Sequence, residues 1–225
     1  LLFVTIMREQ LASARIGITQ ADFAFIESLL GSEGMAAALL SLREDPEALT
    51  AILDLKEINR TLLDSPVALP VSSSLYFYVL VRRAFLDGGI DPPELADYVA
   101  GVLVEKLKGR PDPRSGAMPG WVTHAVDFLS VIQSTHGMLR FHLEVAAGDQ
   151  FLILTGLYPE FIDQRATRKG APGIGFYEGF ASQAYHNAEG RAGIQAASRE
   201  LLGLLSEVIP VARRSLNRMN DRCLF

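Results

Sequence analysis

Residues 121–157, WVTHAVDFLSVIQSTHGMLRFHLEVAAGDQFLILTGL, decide how the rest of the chain is read. They form the longest stretch of helical character, and their apolar residues fall on more than one side, so other elements must cover them. Gly137 and the pair Gly148-Asp149 are where such a helix would bend or break. Three of the four histidines lie here: His124, His136 and His142.

Outward from this segment the chain keeps reading as helix. Thr19 with Asp22 forms a shortened capping box before Phe23, Ile26, Leu29 and Leu30, and Asp45-Pro46 opens a run through Leu49, Ile52, Leu53, Leu55 and Ile58. Further short helices are expected over 1–15 and Met35 to Arg43. SPVALPVSSS (65–74) is an extended connector whose Ser73 or Ser74 would cap Leu75 to Leu86. The YFYVLV hexapeptide within that helix has strand composition, but no second strand is available to pair with it. Asp91-Pro92-Pro93-Glu94 starts another helix. Downstream, helices are expected from Tyr158-Pro159, over Phe176 to Glu189, over Arg191 to Val208 and over Val211 to Arg222. The predicted class is all-α: an antiparallel multi-helix bundle packed around a long central helix at about 119–156, with no significant sheet.

The chain has 225 residues, 49% hydrophobic and 21% charged, which suits one helical domain over 1–225 with a sizeable core. The internal division it offers separates 1–107 from 119–225 at the Gly/Pro-rich loop 108–118. A net charge of −5 argues against nucleic acid as a partner. The longest uncharged run, between Asp64 and Arg82, is interrupted by Pro66 and Pro70, so no membrane span is expected. The single cysteine, Cys223, can form no internal disulfide or cysteine zinc cage, which fits a reducing cytoplasm. The opening LLFVTIM carries no initiator Met and no signal-peptide pattern, as expected if residues precede Leu1.

Two polar groupings could carry chemistry. At helical spacing His136, Arg140 and Glu144 share one face, with Glu144 positioned to hold Arg140 and a histidine able to move a proton. The bland alternative is a solvated ladder. Tyr158, Tyr177, Tyr185 and His186 form the second group; Tyr177 and Tyr185 lie on a face of aromatics and small residues suited to close packing or to lining a pocket. His124 stands three residues before Asp127, a spacing that can orient an imidazole. His124 and His142 are nevertheless roughly 27 Å apart along a helix, too far to share a metal, and no Glu-x-x-His pair exists. No metal and no cofactor is expected. GAPGIG (170–175) has the glycines of a phosphate loop without its lysine or its order, and reads as a connector. The C-terminal helix carries Arg213, Arg214, Arg218 and Arg222, a basic face for an acidic partner or for intramolecular pairing.

On TGLYPEFIDQR (155–165) and YEGFASQAY (177–185), the C-terminal half, roughly Gly137 to Asp221, resembles helical bacterial proteins of unassigned function. That resemblance implies a bacterial cytosolic protein and transfers no residue role. No nucleophile elbow, HExxH or kinase element is present. The expectation is therefore a non-enzymatic protein acting through a protein partner or self-association. The alternative is a small-molecule-binding or enzymatic bundle, its pocket between the central and C-terminal helices.

Overall fold

Thr19 and Asp22 start the first helix by capping each other. The Asp22 carboxylate accepts from the Thr19 amide at 2.7 Å and hydroxyl at 2.8 Å, while the Thr19 hydroxyl accepts from the Asp22 amide at 3.3 Å. Two otherwise orphan donors of α1 (Gln20–Leu30) are thereby satisfied. The other carboxylate oxygen accepts from the Ser72 amide at 2.7 Å, tying α1 to a residue 50 positions away.

Asp22 is fully buried, which alone would raise its pKa, but the hydrogen bonds from Ser72 and Thr19 outweigh burial and hold it below the ordinary 3.8. A carboxylate depressed on folding contributes stability that is present above its unfolded value and lost as pH falls through its folded one. Acid unfolding followed by circular dichroism is thus expected to show a loss beginning below about pH 3.9. Asp22→Asn should flatten that loss and lower stability at neutral pH.

The structure, a computed structural model, describes residues 11–30, 45–64, 69–107, 125–191 and 193–223. Of the helix expected over 1–15, residues 1–10 lie outside the described residues and 11–14 are not helical, leading only into the 3₁₀ turn at Arg15–Gly17. The helix expected over Met35 to Arg43, the loop 108–118, residues 119–124 with His124, and the side chains of Asp127, Arg222 and Cys223 also lie outside the described residues. Ten α-helices and one 3₁₀ turn, Arg15–Gly17, occur among the described residues, without a strand. The fold is all-α. The described residues group into two compact units, one within Ala12–Lys108 and one formed by Leu11 together with the described chain from Gly109 on.

The N-terminal unit holds α1, α2 (Pro46–Leu53), α3 (Lys56–Asp64), α4 (Ser73–Asp87) and α5 (Pro93–Leu107). Asp45 caps α2 by accepting from the amides of Glu47 and Ala48, with Pro46 in the first turn. The run expected through Ile58 breaks at Asp54-Leu55, so α2 and α3 are separate. Ser72, rather than Ser73 or Ser74, caps α4, its hydroxyl accepting from Leu75 N–H at 3.1 Å. The YFYVLV hexapeptide is helical, with Tyr78, Val79, Leu80 and Val81 buried.

The unit after Gly109 holds α6 (Ala125–Ser134), α7 (Gly137–Leu157), α8 (Pro159–Lys169), α9 (Ile174–Glu189) and α10 (Ala196–Cys223). The central segment breaks at Thr135-His136, where Gly137 takes φ +61°, a value glycine tolerates. No second break occurs at Gly148. The helix continues because a bare Cα there lets the Tyr185 ring approach: an ideal Cβ would stand 2.6 Å from it.

Contacts fix how these helices run. Arg191, Tyr185 and Tyr177 at the end, middle and start of α9 meet Glu144, Asp149 and Phe151 in ascending order on α7, so α7 and α9 are antiparallel. Glu189 lies over Gly203, Ser182 donates to the Ser206 carbonyl, and Glu178 pairs with Arg213, so α9 and α10 are antiparallel too.

Two C-terminal helices were expected, divided at Pro210, yet α10 runs unbroken through that proline. A mid-helix proline costs about 3 kcal/mol. Against it stands a seam of Leu202, Leu205, Ile209, Ala212, Leu216 and Met219, all buried and alternately three and four residues apart. Each large member contributes about 1.5–3 kcal/mol on burial, and interrupting the helix would turn half of the seam away from the core.

Candidate functional site

Among the described residues of the C-terminal unit, Glu144 is the most deeply placed charge, 1% exposed. One turn before it on α7, Arg140 donates from Nε to Oε1 at 3.1 Å. Arg191, just past the end of α9, donates from Nε to Oε2 at 2.8 Å and from its terminal nitrogen to Oε1. These bonds raise the Arg191 pKa, with burial opposing weakly. A buried carboxylate needs such partners, and here both of its oxygens are occupied. The result is a clasp that fastens the α9–α10 connection to α7. Arg191→Ala is expected to cost about 1.5–3 kcal/mol, read from the urea midpoint, since Glu144 would keep one cation.

The predicted ladder is therefore realised only in its upper half. His136 precedes α7 in extended conformation, is exposed and makes no capping bond through its side chain, so it does not share a helical face with Arg140 and Glu144. The cause is local: the Gly137 corner ends the helical register one residue after it. On α7, burial holds the His142 pKa below 6.5.

The tyrosines divide. Tyr185 is fully buried and donates to Asp149 Oδ1 at 2.7 Å. Tyr177 stacks on Phe151 with centroids 5.3 Å apart, and Phe180 meets the same ring edge-on at 5.0 Å. Tyr158 marks the junction of α7 and α8. His186 is exposed, 3.4 Å from Glu189. Arg140, Glu144, Tyr177 and Tyr185 thus belong to the α7–α9 seam, filling it with rings and ion pairs, while His136 and His186 face solvent.

No protein-family model, no curated protein and no solved structure matches this chain.

Of the basic residues on α10, Arg213 pairs with Glu178 at 2.8 Å and donates to Asn217 at 3.2 Å. Arg218 reaches Ser215 at 3.4 Å and is otherwise exposed, as is Arg214. The Arg213 pair thus lies within the C-terminal unit. Among the described residues, no group of three His, Cys, Asp or Glu is placed to hold a metal ion. No described helix is long and apolar enough to cross a membrane.

Sequence reasoning missed Arg191, Asp149 and a cluster in the N-terminal unit. There Asp97 on α5 accepts from the Arg15 amide at 2.7 Å and the Ser13 hydroxyl at 2.7 Å, and pairs with Arg15 Nε at 3.3 Å. One turn on, Gly101 lets residues 12–14 lie against the helix; an ideal Cβ would be 2.7 Å from the Ser13 nitrogen. Ser13, Arg15 and Asp97, with Ile16, Pro46 and Leu49, line an open cleft of about 330 Å³. The Asp-x-x-x-Gly spacing from Asp97 to Gly101 was the available signal.

Proposed function

We propose that the chain is a non-catalytic helical protein that works through protein contacts made by the surface of α6 and the first turns of α7 and α9, in a cytoplasmic setting. The observation that carries this is a set of large apolar side chains exposed on the C-terminal unit. Among the described residues of the C-terminal unit, the exposed large hydrophobics are Leu129, Val131, Met138, Leu139 and Phe176, between 38% and 47% exposed. All five fall in two tracts, 128–139 and 170–177, that contain no Asp, Glu, Lys or Arg. Interface cores are depleted of charge and enriched in large apolar side chains, whereas a solvated surface intersperses charges.

Helix α6 adds to this. Beside the polar Ser130, Gln133 and Ser134, its Leu129 and Val131 are also exposed rather than turned into the core. Three of the residues expected to line a pocket have partners within the unit: Glu144 has two arginines, Tyr185 has Asp149 and Tyr177 has Phe151. The test is a photo-reactive amino acid placed at Val131 and, as a control, at the exposed Glu207 of α10, irradiated in living cells of the source organism. Adducts from position 131 well above those from 207 are expected; equal yields from the two would remove the support for this surface.

A further inference from the structure

We infer, independently of the contact surface above, that Pro210 is a hinge in α10 and that the Ser182 hydroxyl of α9 is the latch that holds it closed. Proline has no N–H, so in a helix the carbonyl four residues before it loses its regular donor. For Pro210, inside α10, that carbonyl belongs to Ser206. The Ser182 hydroxyl donates to the Ser206 carbonyl at 2.6 Å. A side chain of α9 thus supplies a donor at the very carbonyl that Pro210 deprives of one.

Ser182 departs from the habit of helical hydroxyls in doing so. Ser28, Thr50, Thr155 and Ser206 each donate to a carbonyl three or four residues back in their own helix, the usual local bond. Ser182 instead donates across to a residue 24 positions on. Its place on α9 explains the reach. Glu178, Ser182 and Glu189, spaced four and seven residues apart, lie on one helical face. All three meet α10, at Arg213, Ser206 and Gly203.

The part of α10 beyond the hinge has its own task. Asn217 donates to the Gly156 carbonyl at 2.7 Å and Asn220 to the Leu157 carbonyl at 3.2 Å, so it satisfies carbonyls at the end of α7 that no helical amide can reach. A helix that lacks one bond of its ladder opens there more readily than elsewhere. Latched, α10 opens as one unit; unlatched, it opens locally at Pro210, and the part that holds the end of α7 moves apart from the part before it.

The experiment is amide hydrogen exchange of the full chain, followed by NMR at Val211, Ala212 and Arg213, whose helical bonds run back across Pro210. Wild type is compared with Ser182→Ala, Pro210→Ala and the double variant. Pro210 is exposed, so alanine there disturbs no buried packing. Ser182→Ala alone should speed exchange at these three amides by about 5–30-fold, the factor expected when a carbonyl loses its donor, and leave Leu201 and Leu202 at the wild-type rate. In the Pro210→Ala background the alanine N–H takes the Ser206 carbonyl, and adding Ser182→Ala should change little. Equal acceleration in both backgrounds would show that Ser182 merely packs α9 on α10. That result, acceleration spread evenly along α10, or no acceleration with Pro210 in place would each overturn the inference.

Discussion

Replacing Asp54 with alanine is expected to destabilise the N-terminal unit by about 3–5 kcal/mol, because it strands a buried guanidinium. Arg82 lies in the middle of α4, 6% exposed. Its Nε donates to both Asp54 oxygens at 3.1 and 3.2 Å, one terminal nitrogen donates to Asp54 at 2.8 Å, and the other reaches the Asp91 carbonyl. Burial works against the charged form, and the Asp54 bonds overcome it, so the Arg82 pKa is raised. Solvent reaches Asp54, whose side chain is 26% exposed, which places the expected cost at the lower end of the range. Arg82→Met should cost less than Asp54→Ala, since it removes the charge together with its need for a partner and keeps much of the stem's volume. Amide hydrogen exchange across α4 measures both, and equal costs would refute the asymmetry.

What the sequence disclosed about the fold is what local chemistry determines. Thr19 with Asp22 and Asp45 with Pro46 act within three residues of themselves, and each forms the cap its spacing predicts. The aromatic YFYVLV run was legible as helix only through the absence of a pairing partner elsewhere. Failures arise where distant packing overrides a local signal. Pro210 says stop, and the buried seam from Leu202 to Met219 carries α10 through it. Gly148 looks like a breaker, whereas its role is to admit the ring of Tyr185 from a helix far along the chain. The clasp on Glu144 was half visible: Arg140 is one turn away, but Arg191 is 47 residues away, and no spacing rule links them. The exposed apolar side chains were harder still, because the apolar residues of α6 read as core until the structure shows Leu129 and Val131 exposed.

Tyr185 gives the second large effect and separates a packing role from a ligand-binding one. Its ring is fully buried against Gly148, and its hydroxyl donates to Asp149, which solvent partly reaches. Tyr185→Ala is expected to cost about 3–5 kcal/mol, since it removes an aromatic ring from the α7–α9 seam and leaves a cavity. Tyr185→Phe should cost only about 0.5–1.5 kcal/mol, because Asp149 can turn to water when it loses the hydrogen bond. Gly148→Ala drives a methyl into the same ring, an overpacking expected to cost about 1–3 kcal/mol. Combining Gly148→Ala with Tyr185→Ala should then cost less than the two separately, because the methyl enters the space the ring vacates. Urea titration of the four variants closes the cycle. Strict additivity would show that the glycine and the ring do not share that space, and a Tyr185→Phe cost as large as that of Tyr185→Ala would mean that the hydroxyl, not the ring, holds the seam together.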